Sequence, residues 1–463
     1  MKNEATQFLA PQAWVQGTWA YAVLLEVAAD GTWRTVQPNA TAQQQAAATR
    51  LQGPVLPGVV NAHSHAFQRA IAGLTERRSN GAGAADDFWS WRDRMYSAAN
   101  RITPEQLEAI ACQLYAELLA GGYTQVCEFH YLHNTQDGAP YANPAEMSLA
   151  LVRAAQRTGM GLTLLPTLYM RAGFSGTGLR EDQRRFASTP DSIARVVEAV
   201  QAHSQADARG NARINVGVAI HSLRAVSPPA LIELAAYAKS GGLPVHIHIA
   251  EQTQEVDDCL THTRQRPIEW LLNHVDVDTH WNLVHATHTT ATELVGVQSR
   301  GASIVLCPGT EANLGDGVFD LPGYAALRGT WSIGSDSHVT RRLSEELRLL
   351  EYSQRLTQHK RNVAAQTMGH SSSAAALLEA AMGGGLNATG LALGGLTVGQ
   401  RADFSVLDPQ SPSLLGIPAD HVLDALVFSS PDARFSSVYV AGQPAHLHND
   451  AGFAPAMHAL WGA

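Results

Sequence analysis

The sequence predicts an α/β protein, a (β/α)8 TIM barrel with a small β-sandwich domain formed from the N- and C-terminal segments. Three observations predict it. Short apolar runs alternate with helix-like stretches from Gly53 to about Met382, the pattern of parallel β-α units. Eight such runs can be counted, the number that closes a barrel. The two flanks are strand-like, and neither is long enough for a sizeable core of its own. The chain has 463 residues, which suits a barrel of ~250 residues or more plus a smaller unit.

The candidate strands are, in order, 55–65 (VLPGVVNAHSH), 123–129 (YTQVCEF), 162–169 (LTLLPTLY), 214–220 (INVGVAI), 244–250 (PVHIHIA), 282–287 (NLVHAT), 303–308 (SIVLCP) and 331–336 (WSIGSD). Helix-like stretches separate most of them. In residues 103–122, Thr103 is the N-cap, Pro104 takes the first helical position, Gln106 completes a capping box and a Gly pair closes the helix. Residues 143–159 and 227–242 read the same way. The organisation expected is 1–54 as the first part of the small β-domain, 55–386 as the barrel, and 387–463 as its second part. The first flank has two strand-like runs around Asp30-Gly31. The Ala/Gln tract at 40–50 is expected at the surface as a helix or loop.

Hydrophobic residues make up 45% and charged residues 16%, so the chain is globular rather than disordered. A net charge of −9 argues against nucleic acid as a partner. The N-terminus lacks the pattern of a signal peptide, and no 18-residue apolar run predicts a membrane span. The four cysteines form no C-x-x-C pair. A cytoplasmic protein with reduced thiols is expected.

Histidine carries the chemistry. His63 and His65 share a face of strand 1, because residues i and i+2 on a strand point the same way. His248 stands at the end of strand 5, His285 at the end of strand 6 and Asp336 at the end of strand 8. A barrel gathers these ends around one mouth. Three imidazoles and a carboxylate suit Zn²⁺ with room left for a water.

This constellation, with "GQRADFSVLD" near the C-terminus, resembles the amidohydrolase superfamily over nearly the whole chain. The resemblance implies His63, His65, His248 and Asp336 as metal ligands. His246 shares a face with His248, but a His followed three residues later by Glu marks the mononuclear deaminase branch, which selects His248 and Glu251. Strand 4 ends without the lysine of the dinuclear branches, so one Zn²⁺ per chain is implied. Glu251, His285 and Asp336 are the expected catalytic groups, with Glu251 moving a proton to the leaving nitrogen.

The long segment 66–101 after strand 1 and the stretches EFHYLHN, HSLRAVSP and CPGTEANLGDG together resemble the formimidoylglutamate deiminases of histidine degradation. That resemblance implies N-formimino-L-glutamate as the small-molecule substrate, with N-formyl-L-glutamate and ammonia as products. Two carboxylates call for bidentate cations. Arg92 and Arg224 are the candidates, with Arg94 able to stand in for Arg92, and Gln68 and Tyr131 are expected to touch substrate. Relatives imply a homodimer. Two other readings stay open. One is a deaminase of the same branch acting on a nucleobase, an adenosine-like thioether or a triazine, for which Trp89 and Trp91 speak. The other is a catalytically silent barrel, against which the intact polar set speaks.

Overall fold

The computed structural model describes residues 6–77, 87–205, 213–429 and 432–462; part of the long segment after strand 1, residues 78–86, lies outside them. Eight parallel strands form the barrel. They are Val59–Ser64 (strand 1), Tyr123–His130 (strand 2), Gly161–Leu168 (strand 3), Val218–Ile220 (strand 4), Val245–Ile249 (strand 5), Trp281–His285 (strand 6), Ser303–Leu306 (strand 7) and Thr330–Ile333 (strand 8). They pair in chain order. The ring closes between strands 8 and 1 through an isolated parallel bridge, Ser64 to Asp336. All eight expected runs are present.

Helix starts follow the chemistry of the sequence. In the helix Pro104–Ala120, Thr103 Oγ1 accepts from the Gln106 N–H at 3.2 Å, and Gln106 Oε1 accepts from the Thr103 N–H at 3.0 Å. Each bond satisfies an amide that the first turn leaves without an intrahelical partner. The Ala/Gln tract forms a short helix, Ala42–Ala47, capped by the same box from Thr41 and Gln44.

The run 55–65 is not one strand. It divides at Gly58, with Val55–Pro57 pairing with Phe404–Leu407 and with Thr6–Val15 in the second sheet. A side chain at Gly58 would collide with Thr124 and Asp403, and the Gly58 N–H donates to the Asp403 carbonyl at 3.0 Å. The crossing between the two sheets is possible only for a residue without a Cβ.

The second sheet is mainly antiparallel and draws on both ends of the chain. Its N-terminal part holds three longer strands, Thr6–Val15, Thr18–Val27 and Trp33–Gln37, and the two-residue Thr49–Arg50, where the pattern suggested two. The additional turn is Gln16-Gly17, with φ of 47° and 81°. Such a turn matches the twist of the strands it joins. The sheet curls until Thr32 bridges Arg401 and the Trp33 ring lies 5.5 Å from that of Phe404. Phe8, Val23, Leu25, Val55 and Val406 fill the space enclosed.

A buried helix, Ser373–Thr389, closes the N-terminal end of the barrel. Its last carbonyls have no intrahelical partners. Barrel side chains supply them. Asn282 Nδ2 donates to Asn387 O at 3.2 Å, His246 Nε2 to Ala388 O at 2.8 Å, Cys127 Sγ to Ala388 O at 3.4 Å and Asn215 Nδ2 to Thr389 O at 2.7 Å. His246 thus faces the floor of the barrel while His248 faces its mouth. Replacing His246 with Ala removes one of these donors from a buried carbonyl. Unfolding by denaturant should show a loss of about 1–3 kcal/mol, with metal content unchanged. A His246 variant that folds as stably as the parent but loses metal would reverse the roles of the two histidines.

Candidate active site

The three Nε2 atoms of His63, His65 and His248 converge at the mouth. His63 Nε2 lies 3.1 Å from that of His65 and 2.9 Å from that of His248. Asp336 Oδ1 lies 3.4 Å from Nε2 of both His63 and His65. All four residues are buried. The other nitrogens fix what converges. His65 Nδ1 donates to the Phe129 carbonyl at 2.8 Å, and His248 Nδ1 donates to the His221 carbonyl at 3.0 Å. A carbonyl only accepts, so each Nδ1 carries the proton and each Nε2 presents a lone pair. Burial holds His63, His65 and His248 below the ordinary imidazole range, hence neutral. Lone pairs facing one another, with a carboxylate beside them, need a cation between them. The donor set, with the second nitrogens of His65 and His248 anchored on carbonyls, fits zinc.

The backbone at these strand ends is unusual. His285 and Asp336 both have left-handed φ, 68° and 47°. That conformation costs a non-glycine residue of the order of 1 kcal/mol and collects at functional sites. Seam contacts hold Asp336, whose N–H donates to His63 O at 3.0 Å and whose carbonyl accepts from the His65 N–H at 3.3 Å.

His285 stands beside the trio, with a ring nitrogen within 4.8 Å of ring nitrogens of His63 and His248. Its Nε2 lies 3.8 Å from both Glu251 Oε1 and Asp336 Oδ2, and its Nδ1 lies 3.3 Å from Glu311 Oε1. Burial works against its charge, but the carboxylates of Glu251, Glu311 and Asp336 prevail and raise it to about 10. Glu251 is buried, not a surface carboxylate. Burial pushes its carboxyl up to about 7, with Asp336 and Glu255 adding and His285 and Arg224 opposing. Burial also works against the charge of Asp336, yet His63, His65 and His285 hold it below the ordinary range.

Beside this centre lies a small cleft. Gln68, Arg92, Tyr131 and Arg224 all line it, together with Glu251, His285 and Asp336. Gln68 Nε2 donates to the Tyr131 hydroxyl at 3.2 Å, and Gln68 Oε1 is buried without a partner. Arg92 comes from the helix Phe88–Ala99, capped by Asp87. Its guanidinium sits 4.4 Å from the Trp89 ring centroid, and that of Arg224 sits 5.6 Å from the same ring. Nε of each arginine is buried without a hydrogen-bond partner. Among the described residues no carboxylate lies within salt-bridge distance of either. Arg94 instead donates to the Thr75 carbonyl at 2.7 Å.

Sequence reasoning passed over His221, which also lines the cleft and packs 4.3 Å from the Tyr169 ring. It directly follows strand 4, so the strand-end rule that selected the other histidines applies to it. Glu311 was passed over too. Only the fold brings its carboxylate to His285, 26 residues away. The floor of the loop carrying Gln68 is tied from the far end of the chain, where Trp461 Nε1 donates to Ala70 O at 3.2 Å.

A parallel barrel whose strand ends carry three converging imidazoles and a carboxylate defines a metal-centre hydrolase class. The chain matches the Amidohydrolase family over residues 55–445 and belongs to that family. It is 46% identical over 438 residues to formimidoylglutamate deiminase of Pseudomonas aeruginosa, covering 94% of this chain and 93% of that one. Among solved structures, an amidohydrolase from Brucella melitensis superposes with a TM-score of 0.90 at 41% identity, covering 98% of this chain and 99% of the other. An adenosine deaminase from Xanthomonas campestris with bound zinc shares the fold, with a TM-score of 0.79 at 22% identity, covering 98% and 97% of the two chains.

Elemental analysis of protein prepared without added metal should find about one tightly held divalent ion per chain, because one set of four donors surrounds one centre. His248→Ala should lose that ion and the activity together. Two ions per chain, both required for turnover, would overturn the single-metal reading.

Proposed function

We propose that the chain is a zinc-dependent deiminase that hydrolyses N-formimino-L-glutamate to N-formyl-L-glutamate and ammonia, in the degradation of histidine. The observation that carries this reading is the pair of guanidiniums on the same cleft as the imidazole–carboxylate centre, Arg224 buried and Arg92 half-buried with its Nε enclosed, neither with an anionic partner at contact distance among the described residues. A substrate with two carboxylates and one amidine matches that arrangement in charge. The identity to a formimidoylglutamate deiminase supports the same conclusion. Four free cysteines, all buried, accord with a reducing cytoplasm.

Metal ligation is assigned to His63, His65, His248 and Asp336. A zinc ion held there would polarise water and lower its pKa toward ~7. The protein's own groups do the rest. Arg92 and Arg224 clamp the carboxylates, and Gln68 and Tyr131 orient the backbone and the amidine. Glu251, whose carboxyl is raised to about 7, takes a proton from the attacking water and delivers it to the nitrogen that leaves. Charged His285 stabilises the negative charge that builds on the attacking oxygen. Asp336, held ionised, accepts a proton from the same water. The amidine carbon gains an oxygen and loses a nitrogen, so R-NH-CH=NH and water become R-NH-CHO and ammonia.

A nucleobase-type deaminase is the second reading, favoured by Phe88, Trp91 and Tyr96 on the cleft wall. The face of Trp89, however, is used by the two guanidiniums. Ammonia release measured with N-formimino-L-glutamate beside adenosine- and guanine-type compounds separates the two directly.

Glu251→Gln keeps size and removes the titrating group. It should retain metal and fold and lose roughly 10²-fold or more in turnover. Near-normal turnover would take Glu251 out of the mechanism.

Arg224→Met should weaken kcat/KM for N-formimino-L-glutamate by roughly 2–4 kcal/mol, because a carboxylate would be stranded in a buried site. The loss should shrink for formimino compounds lacking one carboxylate. Running the same substrate series on Arg92→Met and Tyr131→Phe shows which carboxylate each group holds. Variants that treat charged and uncharged substrates alike would remove the dicarboxylate clamp and favour the nucleobase reading.

A further inference from the structure

His285 is the proposed catalytic group least fixed by its own backbone. It sits at the last position of strand 6 with φ of 68°, and the next residue, Ala286, also lies in the left-handed region at 49°. The strand ladder therefore does not dictate where the ring points. A side-chain contact does. Glu311 Oε1 lies 3.3 Å from His285 Nδ1 and also accepts the N–H of Cys307 at 2.9 Å. That second bond, and the Glu311 N–H donated to Cys307 O at 2.9 Å, tie the carboxylate to the turn after strand 7. Glu311 is buried, as is His285.

We propose that Glu311 is a positioning residue: it accepts the Nδ1–H of His285 and so aims Nε2 at the gap between Glu251 and Asp336. The geometry requires a proton on Nδ1. Oε1 already accepts from a backbone N–H, so the atom facing it on the ring must also be a donor. Nε2 is then the working atom, 3.8 Å from both Glu251 and Asp336. Without Glu311 the ring loses the acceptor that fixes its orientation, and Nε2 leaves the gap between Glu251 and Asp336.

A different use of the same atoms is conceivable, because His285, Cys307 and Glu311 bring possible ligand atoms within 4.8 Å of one another. Two features oppose a second metal there. The Cys307 N–H, not its thiol, is what contacts Glu311. Burial keeps that thiol protonated, with the nearby carboxylates adding to the effect.

This inference rests on the deiminase reading for its activity arm, so one measurement is chosen that needs no substrate. Zinc-loaded protein labelled with ¹⁵N at histidine should show a slowly exchanging Nδ1–H signal that disappears in His285→Asn, which identifies it. In Glu311→Ala that signal should be lost to exchange with solvent, while zinc per chain stays the same. In Glu311→Gln it should persist, because the amide oxygen still accepts from Cys307 and from the ring. Turnover should follow the same order. Ala should lower kcat by roughly 10²-fold, the upper range for removing such a partner, with KM within about twofold, and Gln should restore most of it. Persistence of the Nδ1–H signal in Glu311→Ala would overturn the proposal whatever the substrate proves to be. Loss of zinc in that variant, or a Gln variant no better than Ala, would overturn it as well. Parent protein inactive on N-formimino-L-glutamate, with the signals behaving as expected, would count against the substrate and leave the positioning role standing.

Discussion

The barrel's last closure, between strand 1 and strand 8, is the constraint on which the site depends. Strand 1 brings His63 and His65, and strand 8 brings Asp336, yet the two strands share only the Ser64–Asp336 bridge. Side chains complete the seam. Asn61 donates to Ser335 Oγ at 2.7 Å and accepts from the Ser335 N–H at 2.9 Å. On the other side of strand 1, Ser64 Oγ donates to Glu128 of strand 2 at 2.7 Å, and the other oxygen of Glu128 accepts from the Ala66 N–H at 2.5 Å. Gly334 leaves room for the Cβ of His63, which a side chain at 334 would strike. A one-residue slip at this seam would send His63 and His65 to the outside of the barrel. The donor set therefore exists only in one register, and buried polar groups, each needing its partner, specify that register.

The two neighbours of strand 1 set the electrostatics. Glu128 is so enclosed that burial lifts its carboxyl to about 8, with the bonds from Ala66, Ser64 and Tyr115 opposing. It can be neutral and still serve as anchor. A few ångströms above, Asp336 is surrounded by His63, His65 and His285 and stays ionised. Two carboxyls of similar burial thus take different states because one faces hydroxyls and an amide and the other faces imidazoles. Placing titratable groups in contrasting surroundings is how one pocket can hold a base, an acid and a fixed charge together.

Much of this was legible in the sequence, for identifiable reasons. The eight strands were readable because apolar runs alternate with capped helical stretches, and a capping box such as Thr103–Gln106 is a local code. The strand-end histidines were readable because the period of two is also local. What escaped is what only tertiary contact decides. Nothing local to the run 55–65 shows that Gly58 presses against Thr124 and Asp403. The Gln16-Gly17 turn lacks the Asn or Asp that usually signals such a hairpin. Glu311 sits in a stretch that reads as a turn, and its partner His285 is on another strand. The helix Phe453–Trp461 caps the segment carrying Gln68 from the opposite end of the chain.

The two arginines bear on the proposed substrate class on energetic grounds. A buried guanidinium without a counter-ion is costly, by several kcal/mol after relaxation. In the free protein, stacking on Trp89 offsets part of that for each, about 0.5–2 kcal/mol for a cation–π contact. Glu255 and Glu251 add longer-range attraction at Arg224. The remainder is unmet. A neutral base placed in this cleft would exclude water from both guanidiniums and return no charge to either, deepening the deficit. A dicarboxylate returns one charge to each, through bonds that a planar fork makes in pairs. The arginines therefore accord in charge with the anionic substrate proposed for this cleft.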